Sequence, residues 1–263
     1  IRLRSGRSPT VVVRGDELPF SSMVVERRDL ELTVEIATQA SAHTALESIR
    51  QGYFTVRGGH RVGLCGSVWT EEGRVRNLRC LSSLNIRVAH AVPGCGEAVL
   101  PLLFCRGELV NTLLLSPPGG GKTTLLRDLT RLLSDGVCAA PLRVGLCDDR
   151  GEVAALWEGK PQFDVGQRTD ILEGCPKAQG LMLLLRGMDP QVLVCDEVTD
   201  PADCAALARC ANCGVKLLAS IHAGEGKDLF CKPLYRELVR QCGFEKAVLL
   251  RRQAEPRYQV EEL

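Results

Sequence analysis

The chain has 263 residues, 45% of them hydrophobic and 25% charged, with 33 Lys+Arg against 32 Asp+Glu. Such a chain buries the core of one large or two modest domains, and its balanced charge provides no global basic field to attract nucleic acid or an anionic membrane. No apolar run approaches the roughly 20 residues of a bilayer-crossing helix. The opening Ile1-Arg2-Leu3-Arg4-Ser5-Gly6-Arg7 is polar and basic with no apolar region behind it, so no signal peptide is expected. A start at Ile1, not Met, points to a missing N-terminal piece. The 13 cysteines are odd in number and mostly embedded among apolar residues, which argues for free thiols in a reducing cytosol. Cys210-Ala211-Asn212-Cys213 has CxxC spacing, but zinc needs a second pair or suitably spaced histidines, and the sequence offers neither.

Residues 10–14 read as a first strand and 15–19 as a turn. Leu32, Val34 and Ile36 alternate with polar neighbours, so 31–36 reads as a strand. Ser41 is an N-cap candidate for a helix over 42–51. Residues 53–57 and 60–64 flank Gly58-Gly59, a two-residue hairpin signal, with Arg57, His60 and Arg61 at a solvated tip or contact surface. Strands continue over 65–70, around Val75 and over 85–89. Residues 1–92 thus form a small α+β domain rich in antiparallel strands. Val92-Pro93-Gly94-Cys95-Gly96 is the expected junction.

Residues 93–263 have a different texture. After a short apolar helix near 98–104, strands over 109–115, 142–148, 191–196 and 215–221 alternate with helices over 122–134, 178–188 and 201–210. That alternation predicts an α/β domain with a mainly parallel sheet covered on both faces. A final antiparallel pair is expected at 247–251 and 257–260.

Leu113-Leu114-Leu115 runs into Ser116-Pro117-Pro118-Gly119-Gly120-Gly121-Lys122-Thr123-Thr124. A strand, a glycine-rich turn and a helix opening at Lys-Thr make a phosphate-binding P-loop, with a nucleotide as the expected ligand. Successive backbone N–H groups form an anion nest and the helix adds its positive end. Lys122 would reach the β- and γ-phosphates and the Thr123 hydroxyl would sit on Mg²⁺. Ser116 stands where the motif begins with glycine, a departure expected to strain the turn and weaken binding.

Hydrolysis also needs an acid for the metal, a group that polarises water, and cations for the transition state. Val192-Leu193-Val194-Cys195-Asp196-Glu197 is an apolar strand ending in two acids, a Walker B pattern. Asp196 would hold Mg²⁺ and Glu197 would polarise the attacking water. Asp148 and Asp149 end another strand at the same sheet edge; they contact metal or water, or cap the next helix. His222 ends a further strand, where it would sense the γ-phosphate. Arg168 and Arg186 are each an arginine finger or a surface salt-bridge partner.

These residues, together with Gly58-Gly59-His60-Arg61-Val62-Gly63, Phe163-Asp164-Val165-Gly166-Gln167-Arg168-Thr169-Asp170 and Cys175-Pro176-Lys177, resemble the stage III sporulation AA family, relatives of the type II/type IV secretion ATPases. The likeness covers essentially the whole chain apart from a preceding helical segment. It implies a RecA-like P-loop NTPase core behind a small adaptor domain. It further implies a cytoplasmic, hexameric ATPase ring on the mother-cell side of the forespore, docked on membrane proteins of a sporulation channel. ATP would lie between subunits, so Arg168 or Arg186 would act on a neighbour's nucleotide. It also suggests an acidic-box role for Asp148 and Asp149, and a histidine-box role for His222. Asp149 stands where the family usually has Glu, one methylene longer. Two other readings stay open. One is a nucleic-acid-dependent RecA-like ATPase, against which near-neutral charge and 4% aromatics count. The other is a nucleotide-gated scaffold with little turnover.

Overall fold

The computed structural model describes residues 1–13, 15–38, 52–224, 226–251 and 258–263. By its contacts the chain divides into two units, Ile1–Ala89 and His90–Leu263. The first contains β1 (Arg2–Arg4), β2 (Thr10–Val13), β3 (Asp16–Pro19), α1 (Arg27–Ala37), β4 (Tyr53–Val56), β5 (His60–Glu71) and β6 (Arg74–Arg87). Its strands form one antiparallel sheet in the order β3-β2-β1-β6-β5-β4. Gly58 and Gly59, both at positive φ, close the β4–β5 hairpin and set Val56 opposite His60. Leu30 of α1 completes a small core with Val25, Phe54, Val62, Leu64 and Leu84.

Three expectations are corrected in this unit. Residues 31–36 are helical, not a strand. Glu26 and Asp29 form a reciprocal capping box that starts the helix. Leu30, Val34 and Ala37 then meet the core at helical spacing, while Leu32 and Ile36 are 50% and 69% exposed. Residues 16–19, expected as a turn, form an exposed edge strand against β2, with terminal Pro19 where an edge tolerates it. Residues 85–87 are not a separate strand but the end of the 14-residue β6. The helix expected at 42–51, with Ser41 as its cap, lies outside the described residues.

The second unit opens with a 3₁₀ turn at Leu100–Leu103 and a short hairpin of β7 (Phe104–Cys105) and β8 (Glu108–Leu109). There follow β9 (Thr112–Ser116), α2 (Lys122–Asp135), β10 (Val144–Asp148), a small hairpin of β11 (Leu156–Trp157) and β12 (Lys160–Pro161), and β13 (Thr169–Glu173). The chain continues with α3 (Lys177–Gly187), β14 (Val192–Cys195), α4 (Pro201–Asn212), β15 (Lys216–His222), α5 (Asp228–Cys231), α6 (Pro233–Cys242), β16 (Lys246–Leu250) and β17 (Tyr258–Glu262). The large sheet runs β13-β10-β14-β15-β9-β16-β17, parallel throughout except for the antiparallel edge strand β17.

Alternation along each strand divides the core in two. Leu113, Leu115, Leu193, Leu217, Ala219 and Ile221 face α3, α4 and α6 on one side. Leu114, Leu146, Val192, Val194 and Leu218 face α2 and the 3₁₀ turn on the other. Because both faces are covered, the strands are apolar nearly throughout. Leu113, Leu114 and Leu126 are fully buried, and truncating any one to Ala should cost about 2–5 kcal/mol.

The strand order positions the chemistry. β15 lies between β9 and β14, with Ile221 beside Leu115, His222 beside Ser116, and Ala219 beside Cys195. The glycine loop, the two acids after β14 and His222 therefore emerge together at the carboxyl edge of the sheet. All 13 cysteines are free, with Cys210 buried inside α4 and Cys213 exposed at its C-cap. Among the described residues no helix is long and apolar enough to cross a membrane.

Candidate functional site

Ser116 ends β9, and the loop Pro117-Pro118-Gly119-Gly120-Gly121 turns into α2 at Lys122. Gly119 and Gly121 have φ of 73° and 98°, left-handed values that an L side chain resists. Gly120 is required for a different reason: a Cβ there would lie 1.7 Å from Ser116 Oγ. Ser116 itself needs no glycine. It is the last residue of a regular strand, fully buried, and its hydroxyl donates to the Pro117 carbonyl at 2.9 Å. The expected strain is thus absent at Ser116, because the missing Cβ of Gly120 makes room for the hydroxyl.

Lys122 is nearly buried, and its ammonium meets His222 Nδ1 at 2.8 Å and the Ser116 carbonyl at 3.4 Å. An ammonium only donates, so Nδ1 accepts and the ring proton resides on Nε2. Nε2 then donates to Glu197 Oε1 at 2.7 Å. Arg150 holds the other Glu197 oxygen. Burial pushes the Lys122 ammonium below its ordinary pKa, against the opposing pull of Asp196 and Glu197.

Asp196 is gripped by two hydroxyls. Thr123 donates to Oδ2 at 2.6 Å, and Ser220 donates to Oδ1. Glu197 follows with φ of 54°, a left-handed conformation that costs a non-glycine residue on the order of 1–3 kcal/mol. Its N–H donates to Ser220 Oγ at 2.9 Å, and its carbonyl accepts from Lys177 Nζ at 2.8 Å. The next N–H, of Val198, donates to the Ser220 carbonyl at 2.8 Å.

The acids after β10 divide into different tasks. Asp148 is buried and accepts N–H groups from Glu152, Val153 and Ala154, each at 2.9 Å. Arg127, stacked 3.9 Å above the Phe163 ring, donates to the carbonyls of Glu152 and Val153, each at 2.6 Å. Together they satisfy both polarities of the Glu152 and Val153 backbone, so Asp148 is a loop clasp. Asp149 meets Lys177 Nζ at 3.4 Å. The shorter acid is thus spent on a buried cation and is not aimed at the P-loop. Glu173, at the end of β13, accepts the Leu156 N–H at 2.7 Å, and burial pushes its carboxyl up to about 7.

Arg168 and Arg186 are not brought to this site. Arg168 precedes β13, its carbonyl accepts the Val144 N–H that begins β10, and its guanidinium reaches the Pro141 carbonyl at 3.4 Å. That is about 16 Å of strand away from Glu173 and the carboxyl edge. Arg186 is exposed in the last turn of α3, which starts at the carboxyl edge and returns to the opposite one, about 13 Å along its axis. Neither stands at the carboxyl edge of its own chain, so a finger role for either would require a neighbouring subunit. The residues that sequence reasoning missed are Ser220, Lys177 and Arg150. Ser220 had a signal, lying two residues before His222 on one strand face, and Lys177 lay within the Cys175-Pro176-Lys177 block without an assigned role.

The profile of the family described as "Sporulation stage III, protein AA" matches residues 1–261. Stage III sporulation protein AA of Bacillus subtilis (strain 168) is 39% identical over 257 residues, covering 97% of this chain and 83% of that protein. Among solved structures, the Legionella pneumophila ATPase DotB aligns with a TM-score of 0.62 at 12% identity, covering 98% of this chain and 74% of that one. The pilus retraction motor PilT, solved with bound ADP, aligns with a TM-score of 0.62 at 17% identity, covering 95% and 73%. At these identities the structural likeness is one of fold: a mostly parallel sheet covered by helices, with an N-terminal antiparallel sheet domain.

Proposed function

The chain belongs to the family of sporulation stage III protein AA, and on that premise we propose that it is a Mg²⁺-dependent ATPase acting as the motor of a secretion-like channel complex in endospore formation. The observation that carries the reading is the convergence, at one sheet edge, of the glycine loop, the Thr123–Asp196 pair and the Lys122–His222–Glu197 chain.

The residues present fit the ligands. Position 120 has no room for a side chain, and the loop's glycines bring backbone N–H groups beside a helix N-terminus, the environment a phosphate chain favours. Beside it lies a cavity of about 480 Å³ lined by Val92, Cys95, Thr124, Leu250, Arg251 and Tyr258, large enough for the base and ribose. Thr123 and Asp196 offer the oxygen donors a hard cation prefers, and Mg²⁺ held there would neutralise charge on the phosphates. Lys122 binds the terminal phosphates, Glu197 polarises water, and His222 links the two. Ser116, Pro117, Pro118, Gly119, Gly121 and Thr124 complete the cradle. The unit 1–89 acts as the adaptor, and a homo-oligomeric ring, a hexamer by analogy with secretion ATPases, works from the mother-cell side. Arg168 or Arg186 then completes a neighbour's site.

The test is steady-state ATP turnover of the purified chain beside Lys122→Ala and Glu197→Gln, with and without single-stranded DNA. Losses of about 10²–10³ in both variants are expected. Wild-type turnover equal to both variants rejects the motor, and strong stimulation by DNA replaces it with a nucleic-acid-dependent ATPase. Light scattering with a non-hydrolysable nucleotide should show a ring; monomer at every concentration rejects that part.

A further inference from the structure

Lys177 is a buried cation at a helix position that disfavours one. It opens α3 directly after Pro176, where the positive end of the helix dipole repels an ammonium. Its side chain is 4% exposed, so solvation does not explain it either. What surrounds it is acidic or carbonyl in character: Glu197 O at 2.8 Å, Asp149 Oδ2 at 3.4 Å and Asp203 Oδ2 at 3.9 Å. Asp203 belongs to the capping box that starts α4, three residues after Asp200. The ammonium therefore ties together the end of β10, the turn after β14 and the first turn of α4.

The shortest of these contacts falls on a peptide in a strained conformation. Glu197 is left-handed, and outside a ladder its carbonyl has no strand partner. Ser220 secures the N–H side of that residue, and Lys177 secures the carbonyl side. With both ends fixed, the side chain leaves the backbone toward His222 and Arg150.

We propose that Lys177 is a positioning residue which, with Asp149 as its counter-ion, locks the Glu197 backbone so that the carboxylate faces Lys122 and His222. The inference rests on reading Glu197 as the acid that polarises water. It gives Asp149 a role that suits its short side chain: reaching Lys177, not the reacting water.

The test uses Lys177→Met, of similar length without charge, on the full chain. Its kcat should fall at least about tenfold, with the affinity for a fluorescent ATP analogue kept within about threefold of wild type. In the Glu197→Gln background the same change should cost nothing further in the residual rate, because Lys177 acts through that carboxylate. A loss of equal size in both backgrounds marks a merely structural role and overturns the proposal. Should the single variant fail to fold, Lys177→Met with Asp149→Asn removes the nearer of the two acids left without their cation and carries the same expectation. Nitrogen-15 spectra of the histidine rings read the geometry without turnover. Lys177→Met should shift the His222 Nε2 signal as its Glu197 partner moves away. If wild type turns over no faster than Glu197→Gln, the ATPase reading fails, and an unchanged His222 signal then separately overturns the positioning role.

Discussion

The two ends of the parallel sheet carry charges on opposite terms. At the carboxyl edge Lys122, Asp148, Lys177 and Asp196 are nearly or fully buried, and each is held by specific partners. At the amino edge Arg143 bonds Asp189 at 2.9 Å with side chains 52% and 93% exposed, and Arg168 and Arg186 lie open to solvent. Burial makes each of these four charges conditional on its partner, since an unpaired one is costly. Water compensates these three arginines, so the Arg143–Asp189 pair contributes little. A functional site and a solvated surface thus differ less in which residue types they contain than in how far each group depends on the next.

The largest effect that would sharpen this contrast is at Gly120. A Cβ there collides with Ser116 Oγ, so Gly120→Ala should deform the loop and weaken ATP binding by about tenfold or more, read by titration with a fluorescent analogue. Ser116→Gly alone should change affinity less than about threefold, because Ser116 is not strained. Combined with Gly120→Ala it should restore part of the loss, a coupling that independent sites would not show.

Next comes Ser220→Ala. Its hydroxyl serves Asp196 and the Glu197 N–H at once and is fully buried. Removing it leaves a buried donor and a carboxylate oxygen short of partners, for an expected loss of about 1–3 kcal/mol in denaturant unfolding. A change below a few tenths would mean that the turn after β14 is not held as described.

The residues in these tests were unevenly visible in the sequence. The P-loop, Asp196-Glu197 and His222 were legible because strand, turn and helix follow one another locally and the apolar strands announce their own ends. Ser220 and Lys177 were not, since their roles depend on register between strands and on the return of α3 to the sheet. Ser220 reaches Glu197 only because Cys195 pairs with Ala219. Residues 31–36 were misread because Leu32, Val34 and Ile36 alternate, yet exposure shows that only Val34 among them faces the core. β13 gives no clear apolar pattern as a half-buried edge strand with Thr169, Asp170 and Glu173 in it, and α6 buries only Tyr235, Leu238 and Cys242 on one face of a polar segment.

Glu173 gives a smaller, pH-dependent effect at the carboxyl edge. Its folded pKa of about 7 lies above the ordinary carboxylate value, so between about pH 4.5 and 7 the folded chain holds a proton that the unfolded chain has released. Stability from this group is therefore present at low pH and lost as pH rises through 7. Glu173→Gln should be the more stable protein at pH 8, by on the order of 1 kcal/mol after allowing for partial solvent screening. The difference should vanish below about pH 4.5, as read by urea unfolding at each pH. A gap that stays constant with pH would show that the carboxyl does not titrate in that window.

The smallest expected effect belongs to the amino edge. Arg143 donates to the Asp189 carbonyl and carboxylate, each at 2.9 Å, so its geometry is as good as that of many bonds in the site. Exposure decides against it: both charges are solvated whether or not they meet, and holding two long side chains costs entropy. Arg143→Ala should change the unfolding free energy by less than about 1 kcal/mol and lose most of that effect in 1 M salt, where screening acts within about 3 Å. A loss comparable to that of Ser220→Ala would mean that this edge is covered in the working protein. Repeating the measurement with a non-hydrolysable nucleotide would then separate the two cases, since a neighbour seated against Arg143, Arg168 and Arg186 should make the loss depend on protein concentration.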